Sequence, residues 1–123
     1  MTSPAGRLIL VVDDDPHSRA FLSGILKLEG YSVHTATDGA EGLKKARALQ
    51  PCIILLDLMM PVLDGQGFRT QQTLDPLIAD IPVVVISAHC EAAKIAREMG
   101  VAGCVPKPVM FEHLLASVAA VCG

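Results

Sequence analysis

The chain has 123 residues, 51% of them apolar and 19% charged, which suits one domain with its own core and excludes a disordered chain. Its formal net charge is −3, from 10 Lys and Arg against 13 Asp and Glu, and it contains no basic run, which argues against a nucleic-acid grip. Aromatic residues are 3% and tryptophan is absent, so the core must be aliphatic.

Met1 to Gly6 reads as a tail without the apolar core of a secretion signal, leaving an ordered core over about residues 7–122 of a single domain spanning 1–123. Leu8 to Val12 is an unbroken aliphatic run, the pattern of a strand covered on both faces. Asp15-Pro16 reads as a helix cap followed by proline in the first turn. The helix it opens has Phe21, Leu22, Ile25, Leu26 and Leu28 on its apolar face, with Gly30 just past its end, where a left-handed residue is needed. Ser32 to Ala36 is a weaker, half-polar strand. Asp38-Gly39 then leads into Ala40, Leu43, Ala46, Arg47 and Leu49 at helical spacing.

Pro51 precedes the β-branched run Cys52 to Leu56, and Asp64-Gly65 reads as a turn or cap before a helix over Phe68 to Leu74. Ile81 to Ile86 is again a continuous strand run. A helix over Ala92 to Met99, stopped by Gly100, a short strand over Ala102 to Val105 and a helix over Phe111 to Val121 complete the chain. Five strands alternating with five helices predict an α/β fold, a parallel sheet wound with helices on both faces.

Cys52, Cys90, Cys104 and Cys122 lie far apart with no zinc-like spacing, so they read as small buried thiols of a reduced, cytoplasmic chain. The most apolar stretch near the end, Val109 to Cys122, carries Glu112 and His113 and is too short to span a bilayer.

In open parallel sheets ligands bind beyond the carboxyl ends of the strands. Asp13, Asp14, Asp15, Asp57, Ser87 and Lys107 all stand at that edge. Taken singly each has an ordinary reading: Asp15 a cap, Ser87 a satisfied strand-end hydroxyl, Lys107 a solvated lysine. Asp13 and Asp14 cannot both share the Asp15 cap, and an aspartate ending a buried strand, as Asp57 does, is costly unless paired or bound to a cation. Crowded carboxylates repel one another, and a hard divalent cation such as Mg²⁺ relieves that repulsion. The set suits phosphoryl transfer, with Asp57 as nucleophile, Asp13 and Asp14 as metal holders, Lys107 as partner of the phosphoryl oxygens and Ser87 as hydrogen-bond donor.

The segments Ile9-Leu-Val-Val-Asp-Asp-Asp-Pro16, Leu55-Leu-Asp-Leu-Met-Met-Pro61, Asp64-Gly65, Val85-Ile-Ser-Ala88 and Lys107-Pro108 resemble the receiver domain of bacterial response regulators, over nearly the whole chain from about Arg7 to Cys122. The resemblance implies a flavodoxin-like (βα)5 sandwich with strand order 2-1-3-4-5. It implies Asp57 as the acceptor of a phosphoryl group from a histidine kinase or histidine phosphotransfer protein. Asp14 would be the direct Mg²⁺ ligand, Asp13 would act largely through water, and Met59 would offer its backbone carbonyl; Mn²⁺ could substitute. Ser87 matches the switch hydroxyl and Lys107 the phosphate-contacting lysine, with a cis bond expected to Pro108. His17, Ser18 and Phe21, with the Lys107 to Val109 loop including Pro108, match the kinase-docking face. The resemblance thus implies a cytoplasmic signalling switch rather than a turnover enzyme, a monomer or weak homodimer, read by a downstream effector the sequence does not name, with no direct nucleic-acid or membrane contact.

Three features depart from the family pattern. Cys104 stands where a Tyr or Phe usually rotates inward, and it reads as plain strand packing with a smaller rearrangement on phosphorylation. The stretch from Ser87 to Lys107 is a little shorter than usual, and Pro106 stiffens the last loop. His89, near Ser87, either orients water or faces solvent, while His17, His34 and His113 show no phosphohistidine pattern. Two other readings compete. A haloacid-dehalogenase-like phosphohydrolase wants a second aspartate where Met59 stands, and a degenerate receiver would be a phosphorylation-independent interaction module.

Overall fold

Leu8–Val12, Ile53–Asp57 and Val83–Ser87 are almost wholly buried along their length, as continuous apolar runs with both faces covered must be. The computed structural model describes residues 7–57, 65–88, 94 and 100–122. In chain order the elements are β1 (Leu8–Val12), α1 (Pro16–Leu28), β2 (Ser32–Ala36), α2 (Gly39–Leu49), β3 (Ile53–Asp57), α3 (Gly65–Leu74), β4 (Val83–Ser87), β5 (Gly103–Pro106) and α4 (Phe111–Cys122). The five strands form one parallel sheet in the order β2-β1-β3-β4-β5, as expected.

Alternate strand residues feed two separate cores. Leu10, Val12, Ile54, Leu56, Val83 and Val85 face Leu43 and Ala46 of α2 and Phe68 of α3. Ile9, Val11, Ile53, Leu55, Val84 and Ile86 face Leu22 and Leu26 of α1 and Leu114 and Val118 of α4. The sheet is therefore the middle layer, and its carboxyl edge is held from both sides.

Local chemistry sets the helix ends. The Asp15 side chain accepts the His17 N–H at 3.1 Å with Pro16 opening α1, and the Asp38 side chain accepts the Glu41 N–H at 2.8 Å at the start of α2. Gly30 and Gly100 take the left-handed conformation expected of them, with φ of 95° and 64°. Gln50 does so as well, at φ 50°, ending α2 without a glycine.

Several boundaries move. β3 and β4 start later than the apolar runs, at Ile53 and Val83, and end in Asp57 and Ser87 as expected. The helix expected from Phe68 begins at Gly65, because its first turn is polar and invisible to an apolar pattern. The helix expected over Ala92 to Met99, Lys94 apart, and the Asp64, His89 and Met59 assignments lie outside the described residues.

Cys52, Cys104 and Cys122 are not reduced thiols, and Cys90 lies outside the described residues. Cys52 and Cys122 are joined by a disulfide with an S–S distance of 2.07 Å and a Cα–Cα distance of 5.8 Å. Cys104 is disulfide-bonded too, while still packing in the core from β5 as expected. A separation of 70 residues hid the first pair: α4 runs back against the direction of the strands, returning its last residue to the start of β3.

Candidate functional site

Strand register builds the site. Val12 pairs with Leu56, so Asp13 and Asp57, the next residues along the two neighbouring strands, stand side by side at the sheet's carboxyl edge. Asp57 pairs with Ile86, and Ser87 with Pro106, which brings Ser87 and Lys107 to the same edge. The Lys107 N–H donates to Ser87 O at 3.0 Å, fixing the start of the last loop against β4. The Lys107–Pro108 bond is cis, as the resemblance implied.

Asp13, Asp14 and Asp57 each offer one carboxylate oxygen, and these atoms all lie within 4.8 Å of one another. Asp13 and Asp57 are buried, at 1% and 4% exposure, and Ser87 is buried beside them, whereas Asp14 is exposed. Lys107 Nζ stands 3.5 Å from Asp57 Oδ1, a loose ion pair across the site.

The two oxygens of Asp13 differ sharply. Oδ1 accepts the Asp15 N–H at 2.9 Å and shapes the loop after β1. Oδ2 is buried and has no hydrogen-bond partner among the described residues. A buried carboxylate oxygen without a partner is costly, and a cation is the group that would relieve it. The donors are all oxygen, the set a hard ion such as Mg²⁺ prefers, with no His or Cys among them to favour zinc. The residues present therefore fit Mg²⁺.

One contributor was not foreseen. Arg19 Nη1 donates to the Asp13 backbone carbonyl at 2.8 Å, tying α1 to the acidic loop. Its distance of six residues from Asp13, across a helix start, gives no sequence signal.

His17, Phe21 and Pro108 are exposed and Ser18 is half-buried, so these side chains stand where a partner could reach them. Phe21, Met110 and Phe111 are exposed by 49%, 66% and 54%. Phe21 lies in the first half of α1, and Met110 and Phe111 stand at the start of α4, two helices that share one core layer. Met110 and Phe111 were missed; an apolar pair directly after the Lys107-Pro108 loop was the available signal.

The family model of the response regulator receiver domain matches residues 9–119. The transcriptional regulatory protein PrrA of Mycobacterium tuberculosis is 41% identical over 122 residues, covering 98% of this chain and 50% of its own length. Protein PilH of Pseudomonas aeruginosa is 34% identical over 115 residues, covering 92% of this chain and 95% of its own. Among solved structures, the chemotaxis protein CheY4 of Vibrio cholerae superposes with a TM-score of 0.86 at 30% identity, covering 93% of this chain and 97% of its own. The chain spans about half the length of PrrA and of several other curated relatives it matches. With the sheet order, the acidic edge and these likenesses in agreement, the chain belongs to the response regulator receiver domain family of two-component signalling.

Proposed function

We propose that this receiver takes a phosphoryl group onto Asp57 from the phosphohistidine of a histidine kinase or histidine phosphotransfer protein. The observation that carries this reading is the buried, unpartnered Oδ2 of Asp13, on a carboxylate that clusters with those of Asp14 and Asp57. An Asp57 oxygen forms the new O–P bond as the P–N bond to the imidazole breaks, and the imidazole leaves with its electron pair. Lys107 then turns from Asp57 to the phosphoryl oxygens, and the Ser87 hydroxyl donates to one of them. Asp13, Asp14, Asp57 and the Met59 carbonyl would hold Mg²⁺, which when bound neutralises charge on the phosphoryl oxygens.

The docking face runs from His17, Ser18 and Phe21 to Pro108, widened by Met110 and Phe111. Its apolar residues are accessible beside a site that a partner histidine must enter. Receiver domains are signalling modules, and no helix among the described residues is long and apolar enough to cross a membrane. We place the domain in the cytoplasm, where a kinase draws on ATP. The presence together of Asp13, Asp14, Asp57, Ser87 and Lys107 speaks against the degenerate reading.

Intact mass after incubation with Mg²⁺ and acetyl phosphate tests this. A single phosphoryl adduct is expected in the wild type, absent from Asp57→Ala and absent when EDTA replaces Mg²⁺. An adduct that survives Asp57→Ala would refute the assignment of the acceptor. No adduct from acetyl phosphate or from a panel of phosphorylated kinases would refute the phosphoacceptor reading itself.

A further inference from the structure

The Cys52–Cys122 bridge joins two elements that carry the proposed function. Cys52 stands immediately before β3, the strand that ends in Asp57, and Cys122 is the last residue of α4. The other end of α4 opens with the exposed Phe111 of the docking face. α4 is held on the sheet by Leu114, Val118 and Cys122, one residue per helical turn on a single stripe. The first two are fully buried and pack without covalent help, so the bridge governs the last turn and not the whole helix. The sheet and its two cores do not need a staple at this chain length.

The two cysteines differ in access. Cys122 is buried at 2% exposure, whereas Cys52 is only partly buried. Cys52 is therefore the more accessible residue of the pair. In a reducing compartment, where the proposed function places the chain, disulfides are characteristically transient and redox-sensing.

We propose that Cys52–Cys122 is a thiol–disulfide exchange site whose substrate is a dithiol reductant, and that its redox state sets how tightly α4 is clamped to β3, an input separate from Asp57. The reductant's thiolate forms a mixed disulfide with Cys52 as the Cys52–Cys122 bond breaks, and Cys122 leaves as a thiolate that takes up a proton. The second thiol of the reductant then attacks the mixed disulfide, releasing Cys52, which is protonated in turn. Two electrons and two protons reach the protein, and the dithiol becomes a disulfide. The reducing location rests on the proposed function; the geometry of the bridge does not.

The test uses the whole chain, oxidised and after treatment with dithiothreitol, with thiols counted by maleimide labelling and peptide mapping and with amide NMR spectra of both forms. A Cys52→Ala/Cys122→Ala double variant removes this bridge while leaving Cys104 untouched. The expected result is reduction of the bridge within the redox range of glutathione buffers. Amide shifts and broadening in the double variant should be confined to the last turns of α4 and the start of β3, and reduction should reproduce them beside those that the Cys104 disulfide causes around β5. Three results would overturn the proposal: a bridge that resists reduction until the fold is lost, unchanged α4 amides on reduction, or a spectrum that collapses throughout and so makes the bridge an obligatory staple. None of these readouts requires Asp57 to be phosphorylated, so failure here is distinct from failure of the phosphoacceptor reading.

Discussion

Asp13 concentrates the chemistry of the site in one side chain. Oδ1 is spent on the Asp15 N–H, while Oδ2 is buried without a partner. Such an oxygen lowers the stability of the cation-free domain, and an ion bound there would recover it. Melting of the wild type should therefore rise with Mg²⁺, by about 2.7 kcal/mol of stability when the ion is at about a hundred times its Kd. Asp13→Asn keeps the Asp15 contact but removes the charge. It should melt higher than the wild type in EDTA, by about 1–2 kcal/mol, and lose most of its response to Mg²⁺. Calorimetry in EDTA and across a Mg²⁺ series measures both effects, and a variant that still responds like the wild type would remove Asp13 from the ion site.

Two glycines inside helices show how an element's packing decides the sign of one substitution. At Gly24 of α1 an added Cβ meets nothing within 4 Å, so Gly24→Ala should stabilise by about 1 kcal/mol through helix propensity alone. At Gly42 of α2 the same atom would sit 2.9 Å from Val12 Cγ2 and 3.0 Å from Phe68 Cε2. Val12 is a stiff β-branched residue one position before Asp13. Overpacking of about 1–3 kcal/mol then exceeds the propensity gain, and Gly42→Ala should lower the urea midpoint where Gly24→Ala raises it. α3 is tied down differently. The fully buried Gln72 donates to Ile78 O and Ile81 O, both at 2.9 Å, and accepts from Arg69, which also donates to Gly100 O. Burial pushes the Arg69 guanidinium below its ordinary pKa. Gln72→Leu leaves those two carbonyls and one guanidinium N–H without this partner and should cost about 2–4 kcal/mol in urea titration.

For the whole molecule, the Cys52–Cys122 bridge closes a loop with a sequence separation of 70, long enough for the chain-entropy account to assign it about 4 kcal/mol. Removing it in the Cys52→Ala/Cys122→Ala variant should cost about 2–4 kcal/mol, within the reserve of a domain this size, so the variant should remain folded. Urea unfolding without reductant, compared with the wild type, measures this. A cost near zero would show that the loop is already constrained in the unfolded chain.

Much of the architecture was legible because burial on both faces writes continuous aliphatic runs, and helices between them write a 3.6-residue period. Those two patterns determined the alternation of strands and helices. Together with the motifs around Asp13, Asp57, Ser87 and Lys107 they also determined the edge on which the chemistry would gather. Cap residues such as Asp15 and Asp38 act through neighbours a few positions away, so their roles were visible locally. Tertiary structure alone decided what depends on distance in space. The Arg19 tie to Asp13 O, the unpartnered Asp13 Oδ2, the exposure of Met110 and Phe111 beside the loop, and the Cys52–Cys122 pair are all of this kind. The cysteines make the reason plain. Spacing along a chain carries no record of which residues a returning helix sets against a strand, and only the packed fold brings them within reach of a bond.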